Sequence, residues 1–196
     1  MKVKTLVVSI LLASVCSFAA ADQIQFYLTG AQGDGLLPGN IDPPTSSTGS
    51  GDLGATGIFY DIDTNILSVD VEWGSGNGFS DLTGEVTLLH LHGPTASLPP
   101  DNFGEVNPDI IVNLAGSLNF NPSGTNGGLV DEFFLSNEEE EWLLQGRTYV
   151  NVHTAAYEFG EIRGYLLPVA GVPEPSTTFV IAVAAMTMTI RRRRTK

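Results

Sequence analysis

Apolar residues in this chain recur mainly at alternate positions, in short runs separated by glycine, proline, asparagine and serine. Residues 24–28 (Ile-Gln-Phe-Tyr-Leu) predict a first strand, and the Gly-, Pro-, Ser- and Thr-rich stretch 33–54 predicts a long loop. Residues 57–60 and 66–73 predict a hairpin turned at Asp63-Thr64-Asn65, and residues 84–92 and 109–114 two more strands. Ser136-Asn137-Glu138-Glu139 is a capping box, in which the Ser136 hydroxyl accepts from the first-turn amides and Glu139 reaches back to the Ser136 amide. It opens one short helix with Trp142, Leu143 and Leu144 on its buried side and Gly146 as its stop. Residues 149–154 and 161–167 predict the closing strands. The pattern specifies an all-β fold with one short helix, an antiparallel β-sandwich or Greek-key-like barrel, and the 22 glycines and 11 prolines agree with many tight turns.

The ends follow other rules. Lys2 and Lys4, an apolar run over residues 6–18, and Ala19-Ala20-Ala21 before Asp22 read as a secretory signal over residues 1–21. At the other end, Pro173-Glu174-Pro175 bars a helix from running through it. It precedes an apolar run to Ile190 and a basic stop at Arg191, Arg192, Arg193 and Arg194. Those arginines resist translocation and stay cytoplasmic. The 15 residues 176–190 make about 22 Å of helix, short of a hydrocarbon core of about 30 Å, so snorkelling or local thinning completes the span.

This order of parts resembles the PEP-CTERM sorting signal over residues 172–196. The resemblance implies a C-terminal transmembrane sorting helix recognised by an exosortase that cleaves and transfers the protein at the membrane. Export, transient inner-membrane anchoring, and a final place in the cell envelope, on the outer surface or in the extracellular matrix follow as expectations. The expected partners are exosortase, the secretion machinery, and extracellular polysaccharide or surface proteins.

Between the ends, residues 22–168 form one domain with 21 acids and two cations, Arg147 and Arg163, a formal charge of −19. That field repels nucleic acid and anionic membrane surfaces. Cys16, the one cysteine, lies in the leader behind Val15, which suits neither a disulfide nor a lipid-modified cleavage site.

Leu28-Thr29-Gly30-Ala31-Gln32, Leu89-His90-Leu91-His92-Gly93-Pro94, and Tyr149-Val150-Asn151-Val152-His153-Thr154 leading to Gly160-Glu161-Ile162-Arg163-Gly164 resemble the CHRD domain, named from chordin. The likeness implies an all-β, extracellular module in which Gly93, Pro94, Thr154, Glu161, Arg163 and Gly164 are structural. One departure stands near the start, where Gly33-Asp34-Gly35 replaces the Glu and paired prolines of many bacterial members.

Strand alternation puts His90 and His92 on one face. If the strand bearing His153 pairs nearby, three imidazoles converge, enough for Cu or Zn with an open position; otherwise they are hydrogen-bonded structural histidines. A His-x-His strand with a distant third histidine also resembles the copper ligands of Cu/Zn superoxide dismutase, though that enzyme's zinc loop and disulfide are absent. Glu161 and Arg163 share a strand face, which suggests an ion pair to each other or to another acid. Asp61-x-Asp63-x-Asn65 with Glu72 mimics a calcium loop, but Ile66 occupies the required glycine position and a hairpin turn explains it better. No nucleophile motif is present, so the expected role is structural or binding rather than catalytic, and no cofactor is required; the alternative is a Cu or Zn metalloprotein.

Overall fold

The computed structural model describes residues 23–39, 46–99 and 107–169; the leader and the sorting segment lie outside them. Among the described residues no helix is long and apolar enough to cross a membrane.

Among the described residues, twelve strands form one antiparallel sheet. Nine make a continuous path: β8 (Ile110–Asn113), β7 (Val86–His92), β11 (Tyr149–Thr154), β12 (Ile162–Pro168), β1 (Gln23–Gly30), β5 (Ile58–Asp61), β6 (Ile66–Trp73), β10 (Asn126–Phe134) and β9 (Asn121–Ser123). Three short strands attach beside it: β2 (Gly33–Asp34) on β1, β3 (Leu37–Pro38) on β12 and β4 (Gly51–Leu53) on β6. The sheet curls until the Val86 N–H donates to the Gly124 carbonyl at 2.9 Å, joining the start of β7 to the β9–β10 turn. The architecture is thus a single curled, half-barrel antiparallel sheet with one short helix, the barrel-like form of the all-β expectation rather than two stacked sheets.

That core follows from the period-two alternation. Phe26 and Leu28, Ile58 and Tyr60, Leu67, Val69, Val71 and Trp73, Leu89 and Leu91, Val150 and Val152, and Ile162 and Leu166 all point inward and are buried. Each such side chain contributes roughly 1.5–3 kcal/mol when withdrawn from water. The helix α1 (Asn137–Leu144) adds Leu143 to the cluster and starts with the capping box, the Glu139 carboxylate accepting from the Ser136 N–H at 2.7 Å. The predicted hairpin is β5–β6, and Asn65 at φ 58° takes the left-handed conformation its turn needs.

Two predicted regions differ. The stretch read as a loop carries β2, β3 and β4, short ladders held because Leu36 is buried and exchanges hydrogen bonds with Gly51 at 2.8 and 3.0 Å. Strands β9 and β10 were not predicted. Gly127-Gly128 and Asp131-Glu132 interrupt the apolar alternation of β10, yet it pairs with β6 over eight residues and buries Leu129.

Glu161, immediately before β12, staples the structure at one end of β7 and β11. Its fully buried carboxylate accepts from Thr83 N (2.5 Å), Gly84 N (3.3 Å), Thr154 Oγ1 (2.8 Å) and the Ser47 hydroxyl. These partners occupy both oxygens, so the anticipated Glu161–Arg163 ion pair does not form. Replacing Glu161 with Gln turns part of an acceptor into a donor facing donors. We expect a loss of about 1–3 kcal/mol, read as a lower urea midpoint at unchanged slope.

Candidate metal centre

β7 and β11 pair with His90 opposite Asn151 and His92 opposite Tyr149, which places His153 two residues on, diagonal to His90 and on the same face. This face lies opposite the apolar core, yet His90, His92 and His153 are only 5 %, 5 % and 6 % exposed. His90 Nδ1 lies 3.1 Å from His153 Nε2, and His92 Nε2 lies 3.5 Å from the same atom. One nitrogen from each ring falls within 4.8 Å of the other two. Three nitrogens on a tetrahedral ion with bonds of 2.0–2.1 Å would stand about 3.3–3.4 Å apart, and the two spacings to His153 bracket that value.

Hydrogen bonds at the back of the rings fix what their front atoms carry. His92 Nδ1 is 2.9 Å from the Pro108 carbonyl and His153 Nδ1 is 2.7 Å from the Glu158 carbonyl. A carbonyl only accepts, so both Nδ1 atoms hold the proton and donate it. In the neutral rings both Nε2 atoms then present lone pairs to the cluster. A backbone carbonyl holding the far nitrogen of a ligating histidine is one of the common ways in which proteins orient such rings. Without a metal, a His90 Nδ1 proton can serve the His153 lone pair, and the His92–His153 contact sets acceptor against acceptor.

The rings are neutral in the folded state. Burial, then the neighbouring His153 and His92, push the His90 pKa down to about 4. Burial also pushes His92 down to about 4 against the Pro108 hydrogen bond, with His153 and Arg163 adding to the fall. His153 is lowered by burial, opposed by the Glu158 carbonyl.

Around the cluster lies a polar layer of which the sequence singled out only Arg163. Tyr149 stacks on His92 with ring centroids 5.2 Å apart and planes within 8°. The Arg163 guanidinium sits 5.1 Å from the Tyr149 ring centre and 5.6 Å from that of Tyr165. The Tyr149 hydroxyl donates to Asn107 Oδ1 at 3.1 Å, and Arg163 Nη1 donates to the same oxygen at 3.3 Å. Asn151 Nδ2 donates to the Phe159 carbonyl at 3.0 Å. Gly160, at φ 116°, has no room for a Cβ because the Asn151 side chain fills the space. The only advance signal was the repeat Tyr149-x-Asn151-x-His153, polar residues alternating with valines.

The other singled-out residues lie at the margins. Gly93 and Pro94 lead out of β7 through a cis peptide bond, followed by the Thr95 N–H donating to the Arg147 carbonyl at 2.9 Å. Gly164 passes the Gly35 carbonyl too closely for a side chain, and Thr154 supports Glu161. The calcium-like Asp61 to Asn65 segment is the β5–β6 turn, with the Thr64 N–H donating to Asp61 Oδ1 at 3.0 Å. An open groove of about 990 Å³ lies far along the sheet beside β6, β9 and β10, lined by Glu72, Asn77, Phe120 and Asn126, and shares no residue with the histidine cluster.

The neutral rings give metal-free protein a defined pH response. An unfolded histidine titrates near 6.5, so between about pH 6.5 and 4 the unfolded chain binds more protons than the folded one. This contribution is complete above pH 6.5, declines as pH falls through that window, and levels off below about 4. Urea midpoints across the window should fall with acidification, and less steeply in His90→Gln than in the parent.

Residues 24–166 match the family model described as the CHRD domain. Neither the curated proteins nor the solved structures contain a match to the chain.

Proposed function

The chain belongs to the CHRD family, and we propose that it is an exported binding protein whose working centre is a Cu or Zn ion held by His90, His92 and His153. The observation that carries this reading is the pair of carbonyl-locked tautomers, Pro108 on His92 and Glu158 on His153, which aim two lone pairs at one point beside His90. A purely structural histidine spends its ring nitrogens on donors and acceptors of the fold. Here the inward nitrogens have mainly one another.

The residues divide the work simply. The three imidazoles bind, the two carbonyls orient, and Tyr149 fixes the plane of His92. A bound ion would retain an open coordination position, which suits holding and handing on a metal. We read the role as binding rather than catalysis. Metal analysis of protein purified without chelator should find about one Cu or Zn per chain, lost in both His90→Ala and His153→Ala. A native protein free of metal, and unable to take it up, would leave a structural module and remove the metal from the account.

Location is part of the same proposal. CHRD domains are typical of extracellular or secreted proteins. The leader over residues 1–21 sends the chain across the inner membrane, and the sorting segment over 172–196 presents it to an exosortase for release to the envelope or matrix. Replacing Pro173 and Pro175 with Ala should leave uncleaved protein in the membrane fraction, seen as a heavier band on immunoblots. Normal processing of that variant would show the motif to be incidental.

A further inference from the structure

The charge of the surroundings selects among ions, an inference that rests on the metal-centre reading. Each ligand is a neutral imidazole, and each group that orients a ligand is a neutral carbonyl. Among the described residues, the one cluster able to hold a metal consists of histidines alone, with no carboxylate in it. The ring stacked on His92 is Tyr149, and the charged group over Tyr149 is the Arg163 guanidinium. Asn151, directly opposite His90 on the paired strand, is a neutral amide whose Nδ2 donates to the Phe159 carbonyl.

We propose that the site is built for monovalent copper. The Born cost of burying an ion rises with the square of its charge, so a dication pays about four times what a monocation pays for the same radius and setting. Many sites for divalent ions offset that cost with carboxylates or thiolates, and all-histidine zinc sites do so with a bound water or hydroxide; here the ligands and their orienting carbonyls carry no negative charge. Coordination points the same way. Zinc needs four ligands and would have to complete its shell from solvent, at residues no more than 6 % exposed. Three imidazoles satisfy Cu(I), and imidazole is an accepted copper donor.

The test is an anaerobic competition titration of the mature protein with a chromophoric Cu(I) chelator, beside matched titrations with Cu(II) and Zn(II). One Cu(I) per chain is expected, held at least about tenfold more tightly than either divalent ion. Asn151→Asp, which adds one negative charge to the same face, should narrow that margin by about tenfold. Tighter binding of Zn(II) or Cu(II), or a margin that Asn151→Asp leaves unchanged, overturns the monovalent assignment while the metal centre stands. Failure to bind any of the three ions overturns both. Should Asn151→Asp not fold, the order of affinities in the parent protein decides.

Discussion

A strand buried on both faces has to do something with the polar half of its alternation, and β11 is such a strand. All six of its residues are buried. Val150 and Val152 enter the core, which leaves Tyr149, Asn151 and His153 on the far side with no water to satisfy them. Each finds a partner in backbone or side chain folded over that face: Asn107 for Tyr149, Phe159 for Asn151, Glu158 for His153. The flanking strands obey the same constraint, β7 with His90 and His92, β12 with Arg163 and Tyr165. Burying these groups yields little net stability, because each hydrogen bond replaces one to water, while an unmet partner costs about 1–3 kcal/mol. Leucines would hold the layer together more cheaply. The polar residues therefore look like a site kept at some expense rather than a device for folding.

The two charged residues near this layer are handled in opposite ways. Glu161 stands just ahead of β12, where the chain enters the strand, and four hydroxyl or amide donors from three separate segments converge on it. Arg163, two residues on, turns its flat cation to two tyrosine rings and to Asn107. Sharing a strand face brought the pair within range on paper. Local geometry separated them, since a carboxylate already receiving four hydrogen bonds has no lone pairs left for a guanidinium. The separation places the Glu161 carboxylate away from the histidine cluster, which among the described residues contains no carboxylate.

Alternation and local chemistry were legible in the sequence. The common face of His90 and His92, the capping box at Ser136, the β5–β6 hairpin and the closing strands all follow from spacing and residue type. What could not be read depends on contacts distant along the chain. Strand β10 has glycines and acids where its apolar period should be, and only pairing with β6 makes it a strand. A sandwich and one curled sheet demand the same alternation, so the pattern could not separate them. The convergence of His153 on the other two required the register of β11 against β7, which no local signal encodes. The orienting carbonyls are invisible in sequence for a simpler reason: every residue has one, and Pro108 and Glu158 matter only for where they lie.

The strongly acidic domain and the carboxylate-free cluster then make a coherent pair rather than a contradiction. A formal charge of −19 over residues 22–168 raises the concentration of cations near the surface, without regard to which cation arrives. Beyond about 8–10 Å at physiological salt that attraction is screened, so it recruits but cannot choose. Choice has to occur at bonding distance, where ligand type and local charge set the cost of each ion. Had the acids been gathered around His90, His92 and His153, the centre would have taken hard divalent ions on charge alone. With Glu161 tied up elsewhere, the proposed centre would leave three imidazoles to discriminate by chemistry.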